Sequence, residues 1–312
     1  MQVMRQGLLW LSEQKGIFNF VRSNSLAKSF AERFVAGESI ETGVAAVEEL
    51  GRKGIGSTLD LLGESVHLPA EAEKARDEYL LMIDRMAAKG VPVNVSVKLT
   101  QMGFDIDEAL CERNMRAILD RAAQHDGFVR LDMESSAYTQ RTLDFFEQKL
   151  WPDYRRHCGV VLQSMLRRTE ADVERMISLG ARVRLCKGAY LEAPEVAFPE
   201  KADVDASYVR CLERLLEKGN YPGIATHDEV IIAHARKVAQ RQAIGSERFE
   251  FQLLYGVRRD LQEQLRAAGY NVRCYIPFGT QWYPYLMRRL AERPANIAFI
   301  LGSVMKESMP GK

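Results

Sequence analysis

Towards the end of this 312-residue chain, Tyr285-Leu-Met-Arg288-Arg289-Leu-Ala-Glu292-Arg293 sets Tyr285, Arg288, Arg289 and Glu292 at helical i, i+3, i+4, i+7 spacing. On a helix those positions share one face. Arginines near a helix N-terminus face its positive pole, an unfavourable place for cations unless an anion lies between them. A guanidinium fork binds carboxylate or phosphate through two parallel hydrogen bonds, so the pattern reads as a clamp for a substrate carboxylate. The alternative is a solvated face on which Glu292 neutralises an arginine.

Other candidate groups stand at the ends of short apolar runs. Lys98 and Asp132 close two neighbouring runs and either pair or divide between substrate and cofactor. Arg184, Lys187 and Gly188 follow a third, where two cations suit a phosphate or an electron-rich ring and glycine lets backbone approach a ligand. The Gln163 amide both donates and accepts, as recognition of a flavin or nucleobase edge requires. Thr226 and His227 end another run, but His227 has no H-x-H companion, and the other histidines are scattered. No zinc or iron site is expected. Gly54-Ile-Gly56 opens like a dinucleotide fingerprint, yet the motif is not completed and no strand precedes it.

The runs that carry these groups number eight: 58–62, 93–99, 128–133, 160–163, 183–187, 224–227, 249–254 and 272–276. Helical periodicity fills stretches between them, including 71–89, 107–124, 169–179 and 205–218. Strands alternating with helices argue for a parallel sheet, and eight units in roughly 250 residues fit a closed (β/α)8 TIM-type barrel, α/β in class. In 93–99 the polar residues Asn94, Ser96 and Lys98 alternate with apolar ones, as Arg130 and Asp132 do in 128–133. That parity points a polar set into the lumen, which branched aliphatics normally fill. A ligand pocket reaching down from the strand ends explains it; a lumen of mutually satisfied ion pairs is the alternative. Residues 1–52 read as an N-terminal helical arm, its last helix at 41–51 following Ser39, and 53–312 as the barrel. A final helix is expected over 283–292, with Pro284 near its start and Pro294 beyond its end.

Composition narrows the partners. The 43 Lys and Arg nearly cancel the 42 Asp and Glu, so no bulk field favours nucleic acid or an anionic membrane. A small-molecule partner is the consequence. Five cysteines without a C-x-x-C pair suit a reducing compartment. The apolar start is too short to span a bilayer, so a cytoplasmic protein is expected, with peripheral membrane contact left open.

Seven segments in one order carry a family resemblance: Ser96-Val-Lys98-Leu, Arg130-Leu-Asp132-Met133-Glu134, Arg184-Leu-Cys-Lys187-Gly188-Ala189-Tyr190, Ala225-Thr226-His227, Phe249-Glu-Phe-Gln252-Leu-Leu254-Tyr-Gly256, Tyr275-Ile-Pro-Phe-Gly279 and the arginine helix. Together they resemble the flavin-dependent proline dehydrogenases, in particular the short monofunctional bacterial enzymes. The resemblance implies a distorted barrel with its last helix over the mouth and FAD on the strand ends. It implies that Arg288, Arg289 and Lys98 hold the carboxylate of L-proline while Tyr275, Tyr285 and Leu254 pack around the ring. Asp132 and Arg184 would be catalytic, with Arg184 close to the reactive flavin nitrogen. Met133, Gln163, Arg184, Lys187, Gly188, Ala189, Thr226 and His227 would contact FAD, and Glu64 would pair with Arg288 on closure.

The implied reaction is hydride transfer from proline C5 to flavin N5, giving Δ1-pyrroline-5-carboxylate, with electrons passing to a quinone. Fused relatives carry an aldehyde dehydrogenase module; none is expected within this chain, so a separate pyrroline-5-carboxylate dehydrogenase is the implied partner. Leu191 replaces an aromatic that follows Tyr190 in some relatives, which leaves the outer cofactor contacts less defined. Two rivals are a Schiff-base aldolase using Lys98 or Lys187, and a non-catalytic binding barrel. A yellow protein excludes the first, and loss of turnover on replacing Asp132 or Arg184 excludes the second.

Overall fold

A computed structural model describes residues 32–283 and residue 285. Within them eight parallel strands close into one barrel in sequence order. The strands are β1 (Gly56–Leu61), β2 (Asn94–Val97), β3 (Phe128–Leu131), β4 (Cys158–Gln163), β5 (Arg182–Cys186), β6 (Gly223–Ala225), β7 (Glu250–Leu254) and β8 (Asn271–Phe278). Each of the eight expected runs is a strand, displaced by a few residues at its ends. Closure joins β8 to β1 in a six-residue register running from Gly56 opposite Arg273 to Leu61 opposite Phe278.

The helices are α1 (Ile40–Arg52), α2 (Pro69–Ala88), α3 (Glu108–Ala123), α4 (Ser136–Phe145), α5 (Thr169–Leu179), α6 (Lys201–Lys218), α7 (Glu229–Arg241) and α8 (Arg259–Ala267). α4 runs on through a π turn, Phe146–Leu150, and a last turn, Trp151–Tyr154. Local chemistry sets several starts: the Ser39 hydroxyl accepts from the Thr42 amide, and Asp107 accepts from the amides of Ala109 and Leu110. α6 begins at Lys201, one turn before its expected start, because its first turn is polar and lacks an apolar stripe. Pro199 precedes it and favours extended chain on its N-terminal side.

Strand parity holds through the sheet. Val95, Val97, Val129 and Leu131 join the apolar core. Ser96, Arg130, Asp132 and Arg184 are the buried polar set on the other face. Hydrogen bonds from Arg184 of β5 to Ser96 of β2 and to Gln252 of β7 join strands that are not neighbours, so they cross the lumen. The N-terminal half of the lumen is a satisfied polar network, as one of the two expectations for this set has it. Arg273 Nε and Gln252 Nε2 both donate to Glu250 Oε1, at 2.7 and 2.6 Å, and Arg130 Nη1 donates to the Arg182 carbonyl at 2.7 Å. Gly159 makes room for this layer, since a Cβ there would lie 2.7 Å from Arg130 Nη1.

Residues 1–31, hence the greater part of the expected arm, lie outside the described residues, as do Arg288, Arg289, Glu292 and Arg293. The chain is helical at Trp282, Tyr283 and Tyr285, within the span where the final helix is expected. α1 lies against β1 and β8, with Gly43 facing the Phe278 ring and Leu59. No helix among the described residues is long and apolar enough to cross a membrane. All five cysteines are free thiols.

Candidate active site

The strands deliver two clusters of charge to their C-terminal ends, where barrel enzymes carry their chemistry. The first is deeply buried. Asp132 follows β3 and accepts from Arg184 Nη1 of β5 at 2.8 Å through one oxygen, and from the Tyr275 hydroxyl of β8 at 2.8 Å through the other. The Arg184 guanidinium lies over the Tyr275 ring, 5.1 Å from its centroid. It also donates from Nη1 to Ser96 Oγ at 3.1 Å and from Nε to Gln252 Oε1 at 2.6 Å. Among the described residues its Nη2 has no acceptor.

Lys98 pairs with Asp60 of β1, at 3.3 Å, and not with Asp132. The two expected partners are therefore separated: Asp132 takes Arg184 and Lys98 takes Asp60. Burial opposes the charge on Lys98, yet Asp60 and Asp132, followed by Glu64 and Tyr190, outweigh it and hold the ammonium well above its ordinary range. Burial pushes the Asp60 carboxyl up, against the pull of Lys98. It also raises the Tyr275 phenol well above its usual value, with the charges of Asp132 and Asp60 adding to the effect.

Beside this cluster sits Glu134, buried, which accepts from the Thr100 amide at 3.3 Å and the Thr100 hydroxyl at 2.5 Å. Burial raises its carboxyl to about 6 in spite of those bonds. Its backbone carbonyl accepts from Gln163 Nε2 at 2.7 Å, tying β4 to the same neighbourhood.

The second cluster is half-exposed. Lys187, after β5, lies 2.5 Å from Asp205 of α6 and 2.8 Å from Asp228, the residue that caps α7. Lys201 joins both carboxylates. Asp205 and Asp228 are each held below the usual range: burial opposes this, and hydrogen bonds and charge from Lys187 and Lys201 prevail. Gly188 adopts φ +104° with Met165 Sδ and Gln163 Oε1 pressed against it, a conformation and a space that exclude a side chain. Thr226 Oγ1 accepts from the Asp228 amide at 3.1 Å, and His227 Nε2 accepts from the Leu254 amide at 3.0 Å. That bond fixes the His227 ring with its proton on Nδ1.

The barrel thus brings Lys98, Asp132, Gln163, Lys187, Gly188, Thr226, His227 and Leu254 to strand ends or just beyond, whereas Arg184 lies in the middle of β5, not after it as expected, and Tyr275 lies within β8 opposite Leu254. Met133 follows β3 and Ala189 follows Gly188. Tyr285 is buried, and its phenol is among the groups acting on Tyr275. Arg288 and Arg289 are outside the described residues, so the Glu64 to Arg288 pairing is as well. Asp60, Asp205 and Asp228 are partners that no motif in the sequence marks. Asp60 was detectable, since Thr58-Leu-Asp60 continues the lumen parity of the first strand; nothing local marks Asp205.

The proline dehydrogenase family model matches residues 44–301. A proline dehydrogenase of Deinococcus radiodurans is 42% identical over 308 residues, covering 98% of this chain and 99% of that protein. Proline dehydrogenase 2 of Bacillus subtilis is 39% identical over 98% of this chain and 100% of its own length. Among solved structures, proline utilization A from Bdellovibrio bacteriovorus, inactivated by N-propargylglycine, superposes with a TM-score of 0.81 at 25% identity. The match takes in 91% of this chain and 34% of that larger one. A barrel with this charge arrangement, matched over nearly its whole length at such identity, belongs to the proline dehydrogenases, the enzymes that oxidise proline in its catabolism.

Proposed function

We propose that this proline dehydrogenase uses FAD, takes hydride from proline C5 onto flavin N5, releases Δ1-pyrroline-5-carboxylate and passes its electrons to a quinone. The observation that carries the reading is the Asp132–Arg184–Tyr275 unit: a buried guanidinium fixed on three sides, with Nη2 left without an acceptor among the described residues. A fixed cation with one open donor suits an electron-accepting ring nitrogen. Arg184 within β5, with Met133, Gln163, Lys187, Gly188, Ala189, Thr226 and His227 at or beyond the ends of β3 to β6, is the donor and backbone set that would hold the cofactor. When bound, FAD supplies the hydride-accepting chemistry that no side chain offers.

The chain's own residues then have defined tasks. Lys98, held charged by Asp60, is one cation for the substrate carboxylate; Arg288 and Arg289 are proposed as the others. Tyr275, Tyr285 and Leu254 would bound the ring and keep water out. Orientation is the main requirement, because a fixed near-attack geometry removes much of the entropic barrier. Hydride leaves only a neutral amine, and a pocket of cations disfavours the ammonium form of proline. Lys98 is unsuited to Schiff-base chemistry, which needs a neutral amine, since its charge is stabilised. The domain division at residue 52, a cytoplasmic setting and a separate enzyme that consumes the product belong to the same proposal.

The test is an absorbance spectrum of the purified protein followed by anaerobic addition of L-proline. A flavin band that bleaches is the expected result, and a colourless protein with full proline oxidation overturns the cofactor assignment. Arg288→Met and Arg289→Met should each raise the proline concentration needed for bleaching, by about tenfold for the loss of one charge-assisted hydrogen bond. An unchanged requirement removes the clamp.

A further inference from the structure

Arg184 has an ordered support behind it that the reaction as proposed leaves unused. Its Nε donates to Gln252 Oε1 at 2.6 Å, and Gln252 Nε2 donates in turn to Glu250 Oε1 at 2.6 Å. Glu250 is anchored independently: Arg273 Nε donates to the same oxygen at 2.7 Å, the Tyr221 hydroxyl reaches Oε2 at 3.3 Å, and Arg273 Nη1 is tied to the Ser57 carbonyl at 2.8 Å. Glu250, Gln252 and Arg184 are buried.

An amide side chain can present either its oxygen or its NH2 group. With the NH2 turned to Arg184, two donors would face each other and the Glu250 carboxylate would face the amide oxygen. Glu250 therefore decides which end of Gln252 reaches the guanidinium. Gly223 on β6 leaves the space for this arrangement, because a Cβ there would lie 2.4 Å from Gln252 Nε2 and 2.8 Å from its Cδ. Glycine inside a strand weakens it and marks a close approach.

We propose that Gln252, its amide orientation fixed by Glu250, is a positioning residue that holds the Arg184 fork in the plane where Nη1 meets Asp132 and Nη2 stays open. Asp132 and Ser96 bind only Nη1 and the Tyr275 ring bears on the flat face of the group, so without the bond to Nε the guanidinium can rotate within its own plane about that corner. This inference rests on the flavin reading, in which the open nitrogen serves the cofactor. Its consequence is that Gln252 affects flavin redox balance and hydride transfer, and leaves proline affinity alone.

The experiment compares wild-type holoenzyme with Gln252→Met and Gly223→Ala. Gln252→Met keeps the bulk and removes both amide bonds; Gly223→Ala displaces the amide without deleting it. The two-electron flavin potential is read against redox dyes, and anaerobic flavin reduction is followed across proline concentrations. The expected result for Gln252→Met is a tenfold fall in the reduced-to-oxidised ratio at a given potential, equivalent to about 30 mV for two electrons. Flavin reduction should slow about tenfold, with half-saturating proline unchanged within twofold. Gly223→Ala should move the same quantities in the same direction. In an Arg184→Lys background, which lacks the Nε donor, Gln252→Met should add nothing further, as expected for residues acting through one contact.

Wild-type potential and rate in Gln252→Met overturn the proposal. So does an equal effect in the Arg184→Lys background, or a rise in half-saturating proline that accounts for the whole loss. If Gln252→Met does not fold, Gly223→Ala decides alone, and an unchanged potential there refutes the role. Wild-type enzyme without flavin is a different failure, that of the cofactor reading.

Discussion

Two lysine–aspartate pairs flank the mouth of this barrel, and their carboxylates are displaced in opposite directions. Asp60 beside Lys98 is raised, whereas Asp205 and Asp228 beside Lys187 are lowered. The chemistry of the pairs is the same; the water is not. The Asp60 side chain is 1% exposed, against 25% and 18% for Asp205 and Asp228. For the Asp60 carboxyl, almost wholly out of water, desolvation exceeds the attraction of Lys98; for Asp205 and Asp228, partly exposed, attraction and hydrogen bonding prevail. The buried side therefore has geometry that only a matching set of neighbours can maintain. The half-exposed side holds charges that can be traded for those of a ligand.

The sharpest way to break this comparison is to delete one member of the buried set. Asp132→Ala leaves Arg184 and the Tyr275 hydroxyl without their shared acceptor. Removing one partner from a buried ion pair costs about 3–5 kcal/mol of stability. Turnover should fall by about 10²–10³, the usual loss when a preorganised electrostatic group is removed. Urea melts with an unchanged m-value, and proline oxidation measured well below the melting point, separate the two losses. A stability change under 1 kcal/mol would show that the cluster is held by packing and not by its charges.

Glu134 tests the desolvation side of the argument through pH. Burial raises its carboxyl from 4.5 to about 6, so the folded chain binds this proton more tightly than the unfolded chain does. The resulting stability is fully present below about pH 4.5 and is lost as pH rises through about 6. The difference corresponds to about 2 kcal/mol. Asp60, also raised, acts in the same direction. Wild-type stability attributable to this group should decline from pH 4.5 to 7, and Glu134→Gln should flatten that decline. A variant that keeps the wild-type slope would assign the pH dependence to other groups.

The two regions also differ in how far the sequence revealed them. Alternation in Asn94-Val-Ser96-Val-Lys98 and Arg130-Leu-Asp132 was enough to place a polar lumen and its strand ends, because a period of two is a local property of the chain. Pairing is not local. Arg184 and Gln252 are 68 positions apart, and Lys98 pairs with Asp60 and not Asp132 in a sheet where β1 lies beside β2 with Asp60 opposite Ser96. The start of α6 was obscured for a related reason: the helix buries its first residue only at Ser207, so Lys201 to Val204 carry no core-facing stripe, while Lys201 and Asp205 are engaged with Asp228 and Lys187. The arginine pattern at 288 and 289 was legible as chemistry, while its position over the barrel depends on residues outside those described.

The smallest effect is expected on the half-exposed side. Lys187→Met removes the group shared by Asp205 and Asp228 but leaves both carboxylates near Lys201 and near water. Partly exposed ion pairs contribute about 0–1 kcal/mol, so the melting transition should move little. Flavin retention should respond more. If Lys187 releases its carboxylates to bind an anionic part of the cofactor, its loss weakens binding and reduces the sensitivity of that binding to salt, because a screened charge has been removed. Flavin release measured from 0.05 to 0.5 M KCl, concentrations chosen to span Debye lengths from roughly 14 to 4 Å, provides the readout. Unchanged affinity with an unchanged salt slope would make the Lys187 cluster a fastener between α6 and α7. Only the buried side of the mouth would then be left to hold the ligand.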